Sequence, residues 1–241
     1  MHRFANPAKF NKLADKIQPW AIILGTIAFV SGTYYALFAS PPDYQQGESV
    51  RMMYVHVPAA WASMSTYGFI AVASFVALVW RHPLALMAGK AAAPIGATFT
   101  ALALITGSLW GKPMWGTFWE WDGRMTSVLV MFFLYLGYIA LWEAMEDDEK
   151  AGRAASILAL VGVVNLPIIK FSVEWWNSLH QPASVLRADG PSMPAEMLMP
   201  LFILGIAYQL YFTVVILWRM KLEINKKKID VMRQIAAASE G

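Results

Sequence analysis

Cysteine is absent from the 241 residues. That excludes a disulfide framework, a thiolate zinc or iron–sulfur site, a CxxC redox pair and haem attachment through CxxCH. Charge is scarce as well: 15% of residues are charged, against roughly 25% in ordinary soluble chains. A formal net charge of +3 is too small to point to a nucleic-acid partner. There are only four histidines, His2, His56, His82 and His180, and no P-loop, so ATP hydrolysis is not expected of this chain. No internal repeat is visible, which argues against an inverted-repeat transporter.

Apolar residues, by contrast, make up 58% of the chain, and they gather in blocks of bilayer-spanning length instead of at amphipathic spacing. Six runs are read, at residues 20–39, 58–80, 91–110, 125–142, 154–171 and 198–218. In lipid only a helix satisfies such a backbone internally. The expected fold is therefore an all-α integral membrane protein of six transmembrane helices, forming one polytopic domain over residues 1–241. The basic N-terminus leads into a long run with no small-residue cleavage pattern, so it reads as a retained first span. Trp20, Trp80, Trp110, Trp142 and Trp218 at run ends suit the interfacial belt.

Lys and Arg set the expected orientation. Both tails and the loops after the second and fourth runs hold fourteen of them; the other side holds five, Arg51, Lys112, Arg124, Lys170 and Arg187. Both termini are thus expected in the cytoplasm, with His2 and His82. Three loops then face outward: Ser40–Val57, Gly111–Arg124 and Ser172–Met197. Few ionisable groups lie within the runs, so a charged path through the bundle is poorly supported. Asn165 and Gln209, the main polar side chains at depth, read as helix-to-helix hydrogen bonds. Pro94, Pro167 and Pro200 are expected to kink or start helices.

The outward loops carry the chemistry. Leu109–Thr126 reads LWGKPMWGTFWEWDGRMT, with Trp110, Trp115, Phe118, Trp119 and Trp121 followed at once by Asp122 and Arg124. Gly111, Pro113, Gly116 and Gly123 punctuate it, so a loop or a short interfacial helix is expected. In a helical turn Trp115 and Trp119 share a face; in an extended piece Trp119 and Trp121 do. The plainer reading is an ordinary aromatic belt, but that does not explain why the tryptophans crowd into one loop. His56 and His180 lie on the same side. Two imidazoles make a poor zinc site, which normally takes at least three protein ligands. They do complete a haem iron, whose porphyrin already supplies four nitrogens. On that reading Arg51, Lys112, Arg124 and Arg187 are candidates to pair with propionates, while Asp122 and Glu174 are candidates to orient a histidine or a loop cation.

These residues resemble the C component of the bacterial cytochrome c maturation system, the haem exporter protein C (CcmC) family. The tryptophan-rich "WWD" signature reads here WGTFWEWDGRMT from Trp115 to Thr126, with MYVHVPAAW around His56 and SVEWWNSLHQP around His180. The resemblance covers nearly the whole chain. It implies that His56 and His180 are the axial ligands of haem iron, and that Trp115, Trp119, Trp121 and Asp122 form the platform beside it. Phe118 departs from the pattern, standing where a further Trp is common. The resemblance further implies haem b carried as cargo and a bacterial inner-membrane location with the functional loops in the periplasm. The implied partners are a periplasmic haem chaperone, an ABC-type ATPase with its membrane subunit, and a small single-span protein. The expected role is a non-enzymatic haem-presenting scaffold. Its rivals are a self-contained transmembrane haem transporter, a WWD-type haem lyase (usually a much larger protein) and a purely structural subunit.

Overall fold

A computed structural model of the chain describes residues 6–240 except 183, 186 and 188. His2 and Arg3 of the basic tail lie outside the described residues. The element order is α1 (Pro7–Tyr34), α2 (Met53–Trp80), α3 (Pro83–Trp115), α4 (Gly123–Ala144), α5 (Asp148–Gly162), α6 (Asn165–Trp175) and α7 (Ala195–Glu240). A π turn at Tyr35–Ala39 closes α1, and a 3-10 turn at Glu48–Met52 leads into α2. No strand occurs among the described residues. Six helical segments are long and apolar enough to cross a membrane, as the six runs imply.

The helix starts follow local chemistry. Asn6 caps α1, its Oδ1 accepting from the Ala8 N–H at 2.9 Å, with Pro7 in the first position, where no N–H is needed. His82 caps α3 through Nδ1, which accepts from the Ala85 N–H at 3.2 Å. Asp147 caps α5, accepting from the Glu149 and Lys150 N–H groups at 2.9 and 3.1 Å. One member of the acidic Glu143–Glu149 cluster therefore has a local structural task.

The fifth run is two helices. α5 ends at Gly162 and α6 begins at Asn165, with Val163–Val164 in a turn between them. Pro167 explains the break: it has no N–H to return to Val163, and its ring crowds that carbonyl. The Leu166 N–H instead takes the Val163 carbonyl at 3.0 Å, a tighter turn. Asn165 braces the joint by donating from Nδ2 to the Ser127 carbonyl of α4 at 2.8 Å. Gln209 likewise links α7 to Ser65 of α2 at 3.0 Å.

α2 lies at the centre of the bundle, touching α3, α5 and α7, while α1 packs chiefly along α7. Between helices in lipid there is little hydrophobic gain, so close packing of small residues and interhelical hydrogen bonds hold the bundle together. Ala59, Ala62, Ala88, Ala91, Ala92 and Ala93 are buried in this way. Tyr135, fully buried, donates to the Ser63 carbonyl at 2.7 Å and meets Tyr67 edge-on at 5.1 Å. At one end of the bundle the starts of α2, α4 and α7 and the ends of α3 and α6 converge. The start of α1 and the far part of α7 meet separately, where Lys221 bonds Asp15 and Gln18.

Candidate functional site

The converging end encloses a cavity of about 760 Å³, within the range of small-molecule and cofactor sites. His56, Trp110, Trp115, Arg124, Lys170 and His180 are among its lining residues. Of the residues singled out in the sequence, His56, His180, Trp115 and Arg124 are thus brought to one space. Trp119, Trp121 and Asp122 stand outside the lining.

His56 sits in the first turn of α2 rather than in the loop before it. Its Nδ1 lies 3.0 Å from the Ala103 carbonyl and 3.2 Å from Thr106 Oγ1, both on α3. The Thr106 hydroxyl donates to the Leu102 carbonyl at 2.7 Å, so both groups act as acceptors toward His56. Nδ1 therefore carries the proton, and Nε2 keeps its lone pair. The ring fits because residue 107 is glycine: a Cβ there would lie 2.9 Å from His56 Cε1. Trp110 meets the same imidazole edge-on at 5.8 Å and is held by donating Nε1–H to Gln46 Oε1 at 2.9 Å.

His180 is fixed by a different device. Asp122 is 7% exposed and caps α4, its Oδ1 accepting from the Met125 N–H at 2.8 Å. Its Oδ2 accepts from His180 Nδ1 at 2.7 Å and from the Ser178 hydroxyl, whose oxygen in turn accepts the His180 backbone N–H at 3.1 Å. Burial pushes the Asp122 carboxyl up, but the bonds from Ser178, Met125 and His180 outweigh it and hold the group below its ordinary range. Burial pushes the His180 imidazole down, and the Asp122 carboxylate opposes this only in part. The result is a neutral imidazole with Nδ1–H donated to a carboxylate and Nε2 left as the free base. Trp115 packs edge-on to it at 4.7 Å.

The tryptophan-rich stretch is organised differently from the expected loop. α3 continues through Pro113 to Trp115, and Gly116 ends it with φ at 77°. Pro113 has no N–H to return to the Leu109 carbonyl and its ring crowds that group, yet the helix runs on for two more residues. Trp115 folds back over Gly111, where a Cβ would come within 2.7 Å of the indole. Trp110 and Trp115 are thus helix residues in the cavity wall, and of the two expected pairings the one between Trp115 and Trp119 does not form. Trp119 and Trp121 pair edge-to-face at 5.4 Å in the loop, Trp121 73% exposed.

The cations also separate. Arg51 is bonded to Glu48 and to the Ala36 carbonyl of the π turn. Lys112 donates to the Gly116 carbonyl at 2.7 Å and lies over the Phe118 ring. Arg187 pairs with Asp189. Only Arg124 of the four candidates reaches the cavity. Lys170, which joins it there, was counted for orientation but missed as a site residue. The available signal was an ionisable side chain at the very end of an apolar run.

Among the described residues no group of three or more His, Cys, Asp and Glu side chains could hold a bare metal ion. Two imidazoles with free Nε2 atoms on one aromatic-walled cavity suit instead a metal that brings its own equatorial nitrogens. Comparison with known proteins points the same way. Residues 1–235 match the family model described as heme exporter protein C. The chain is similar to heme exporter protein C of Bradyrhizobium diazoefficiens, at 52% identity over 234 residues, 97% of this chain and 89% of that one. It is 49% identical over 203 residues to heme exporter protein C of Escherichia coli K12, covering 84% of this chain and 83% of that one. To a putative cytochrome c biosynthesis ccmC-like mitochondrial protein of Marchantia polymorpha it is 48% identical over 185 residues, 76% of this chain and 78% of that one. With agreement along almost its entire length, and a cavity bearing two fixed imidazoles at its end, this chain belongs to the heme exporter protein C family.

Proposed function

We propose that this multi-pass membrane protein holds haem in the cavity at the end of its bundle and passes it to a periplasmic haem chaperone for c-type cytochrome biogenesis. His56 and His180 bind the iron through their Nε2 atoms, completing the two axial positions that the porphyrin leaves open. Trp110 and Trp115 flank the two imidazoles and wall the cavity with aromatic surface. Asp122 positions His180, and the Ala103 carbonyl with Thr106 positions His56. One observation carries the reading: two histidines 124 residues apart in sequence line one cavity, and each has its Nδ1 proton committed to a fixed acceptor.

The excess of Lys and Arg in the tails and in the loops opposite the cavity supports placing those segments in the cytoplasm and the cavity at the periplasmic face of the inner membrane. Haem is cargo rather than a resident cofactor, and the chain acts as a binding scaffold, not as an enzyme that forms covalent bonds. An ABC-type ATPase with its membrane subunit supplies the energy for release, and a small single-span protein completes the assembly. Trp121, exposed and packed edge-on against the half-buried Trp119, offers an aromatic surface on which the chaperone docks. The test is an absorption and electron paramagnetic resonance spectrum of the purified chain with ferric haem, beside His56→Ala and His180→Ala. Wild type gives a low-spin bis-imidazole signature that either substitution abolishes, together with transfer to the chaperone. A wild-type chain with no Soret shift on haem addition would end this reading.

A further inference from the structure

The two faces of α1 differ. On one, Ala14, Gln18, Ala21 and Gly32 are buried, and the helix packs along α7. The opposite stripe runs through Lys9, Lys12, Lys16, Trp20, Ile23 and Ile27, each step three or four residues on, and all six are exposed. Trp20 to Ala39 is about 30 Å of helix, the thickness of a hydrocarbon core. Trp20 therefore stands at the edge of that core, where an aromatic ring is favoured. The stripe meets acyl chains from Trp20 onward and leaves the hydrocarbon at the lysines. Asp15 is the one acidic side chain of α1, and it is turned to α7, where it bonds Lys221. Among the described residues Lys9, Lys12 and Lys16 have no carboxylate within ion-pair distance. Lys90, Lys150, Lys221 and Lys226, at the same end of the bundle, are each paired.

Distance along the helix separates the three lysines. At 1.5 Å per residue Lys16 lies about 6 Å outside Trp20, Lys12 about 12 Å and Lys9 about 17 Å, against a headgroup layer of roughly 5–8 Å. Lys16 is thus within the layer, Lys12 returns its ammonium to it along a flexible stem, and Lys9 stands beyond. Leu13 and Ile17, beside them, are exposed as well, so this part of α1 has apolar surface to place at the glycerol level. A membrane presents phosphate charge and then hydrocarbon in the order in which the stripe presents ammonium groups and then apolar side chains. That match favours a lipid over a partner protein, which would have to bring both. We infer that this face of α1 binds an anionic phospholipid, with Lys16 and Lys12 holding the headgroup phosphate while Trp20, Ile23 and Ile27 carry the acyl chains. The site is remote from the cavity and does not depend on what the cavity holds. Its effect is to fix the depth of a helix whose chief protein contact is α7.

The test is lipid binding to the full chain in detergent, followed by native mass spectrometry, with dioleoyl phosphatidylglycerol and dioleoyl phosphatidylcholine as the two probes. Their tails are identical, so the ratio of their affinities isolates the headgroup charge. Each lysine near an anionic surface adds about fivefold, so wild type binds phosphatidylglycerol tighter by about tenfold or more. Lys16→Gln lowers that ratio most, Lys12→Gln less and Lys9→Gln least, and Lys12→Arg with Lys16→Arg keeps it. Lys227→Gln with Lys228→Gln, which removes two exposed cations on the far part of α7, leaves it at the wild-type value. Excess inorganic phosphate does not displace phosphatidylglycerol; displacement would show a free-phosphate site and overturn the lipid assignment. Equal binding of the two lipids by wild type would overturn the site and leave this face to a partner helix. An unchanged ratio in Lys12→Gln with Lys16→Gln would do the same. An equal loss in the α7 variant would reduce the preference to net charge and overturn it as well.

Discussion

Replacing Asp122 with Asn isolates the tautomer argument from stability. Asn caps a helix about as well as Asp, so the bond from the Met125 N–H can survive and α4 keeps its start. The amide Nδ2 then faces His180, where the carboxylate Oδ2 lies 2.7 Å from Nδ1 in the wild-type chain. A donor placed there favours the tautomer in which Nδ1 accepts and Nε2 carries the proton, which is the wrong nitrogen to protonate for iron binding. Turning the amide over restores the acceptor to His180 and to the Ser178 hydroxyl but gives up the cap on the Met125 N–H. Either arrangement loses a charge-assisted hydrogen bond. Loss of such an outer partner typically weakens metal binding by about 10–100-fold, which corresponds to roughly 1.4–2.8 kcal/mol. The assay is haem titration of purified Asp122→Asn by Soret absorbance, with thermal unfolding of the haem-free protein alongside. The expected result is this loss of affinity, with an altered low-spin signal and a melting temperature close to wild type. If Asp122→Asn binds haem as tightly as wild type with the same spectrum, His180 does not depend on Asp122 for its tautomer and the argument is wrong.

Three further substitutions probe other parts of the structure. Gly107→Ala places a methyl 2.9 Å from His56 Cε1; the overpacking cost of about 1–3 kcal/mol is partly offset by the helix preference for Ala, so stability falls little while the His56 contribution to the low-spin spectrum is lost. Tyr135→Phe removes the 2.7 Å bond to the Ser63 carbonyl and is expected to destabilise the bundle by about 0.6–1.5 kcal/mol, read as a lower melting temperature in detergent with haem binding unchanged. Asp147→Ala removes the cap of α5 at a cost of about 1 kcal/mol, visible in hydrogen exchange of the first turn of α5 and silent in the Soret band.

How much of this was legible in the sequence depended on the range of the interaction. Spans were legible because a bilayer imposes length and apolarity on contiguous residues. Asn165 and Gln209 were legible as interhelical bonds because a polar side chain at depth has few alternatives. Pro167 gave a fair warning of the break between α5 and α6. The tryptophan stretch misled because Pro113 and the glycines around it read as helix breakers, whereas α3 runs through Gly111 and Pro113 to Trp115 before Gly116 ends it. Asp122 was recognisable as a partner for a histidine, but 58 positions separate it from His180, and only folding selects that pairing over Glu174. Arg51 shows the opposite case. Its guanidinium is claimed by a carbonyl of the π turn fifteen residues earlier, a demand that no periodicity or motif announces.

The docking of α1 almost wholly onto α7 has a consequence for how the molecule is made. Gly25 and Gly32 of α1 sit against Leu210 and Leu204 of α7, close enough that a methyl at Gly32 would come within 2.8 Å of Leu204. Being earlier in the chain, α1 therefore leaves the ribosome well before the helix it packs against. At ordinary synthesis rates the residues between them take roughly eight to thirty seconds to appear. Throughout that interval α1 stands in lipid without its mate, free to drift or to meet a foreign helix, and the four middle passes assemble around α2 without it. The α1–α7 contact thus joins helices far apart in the order of synthesis, and the narrow fit at two glycines is what tells α1 which neighbour to keep.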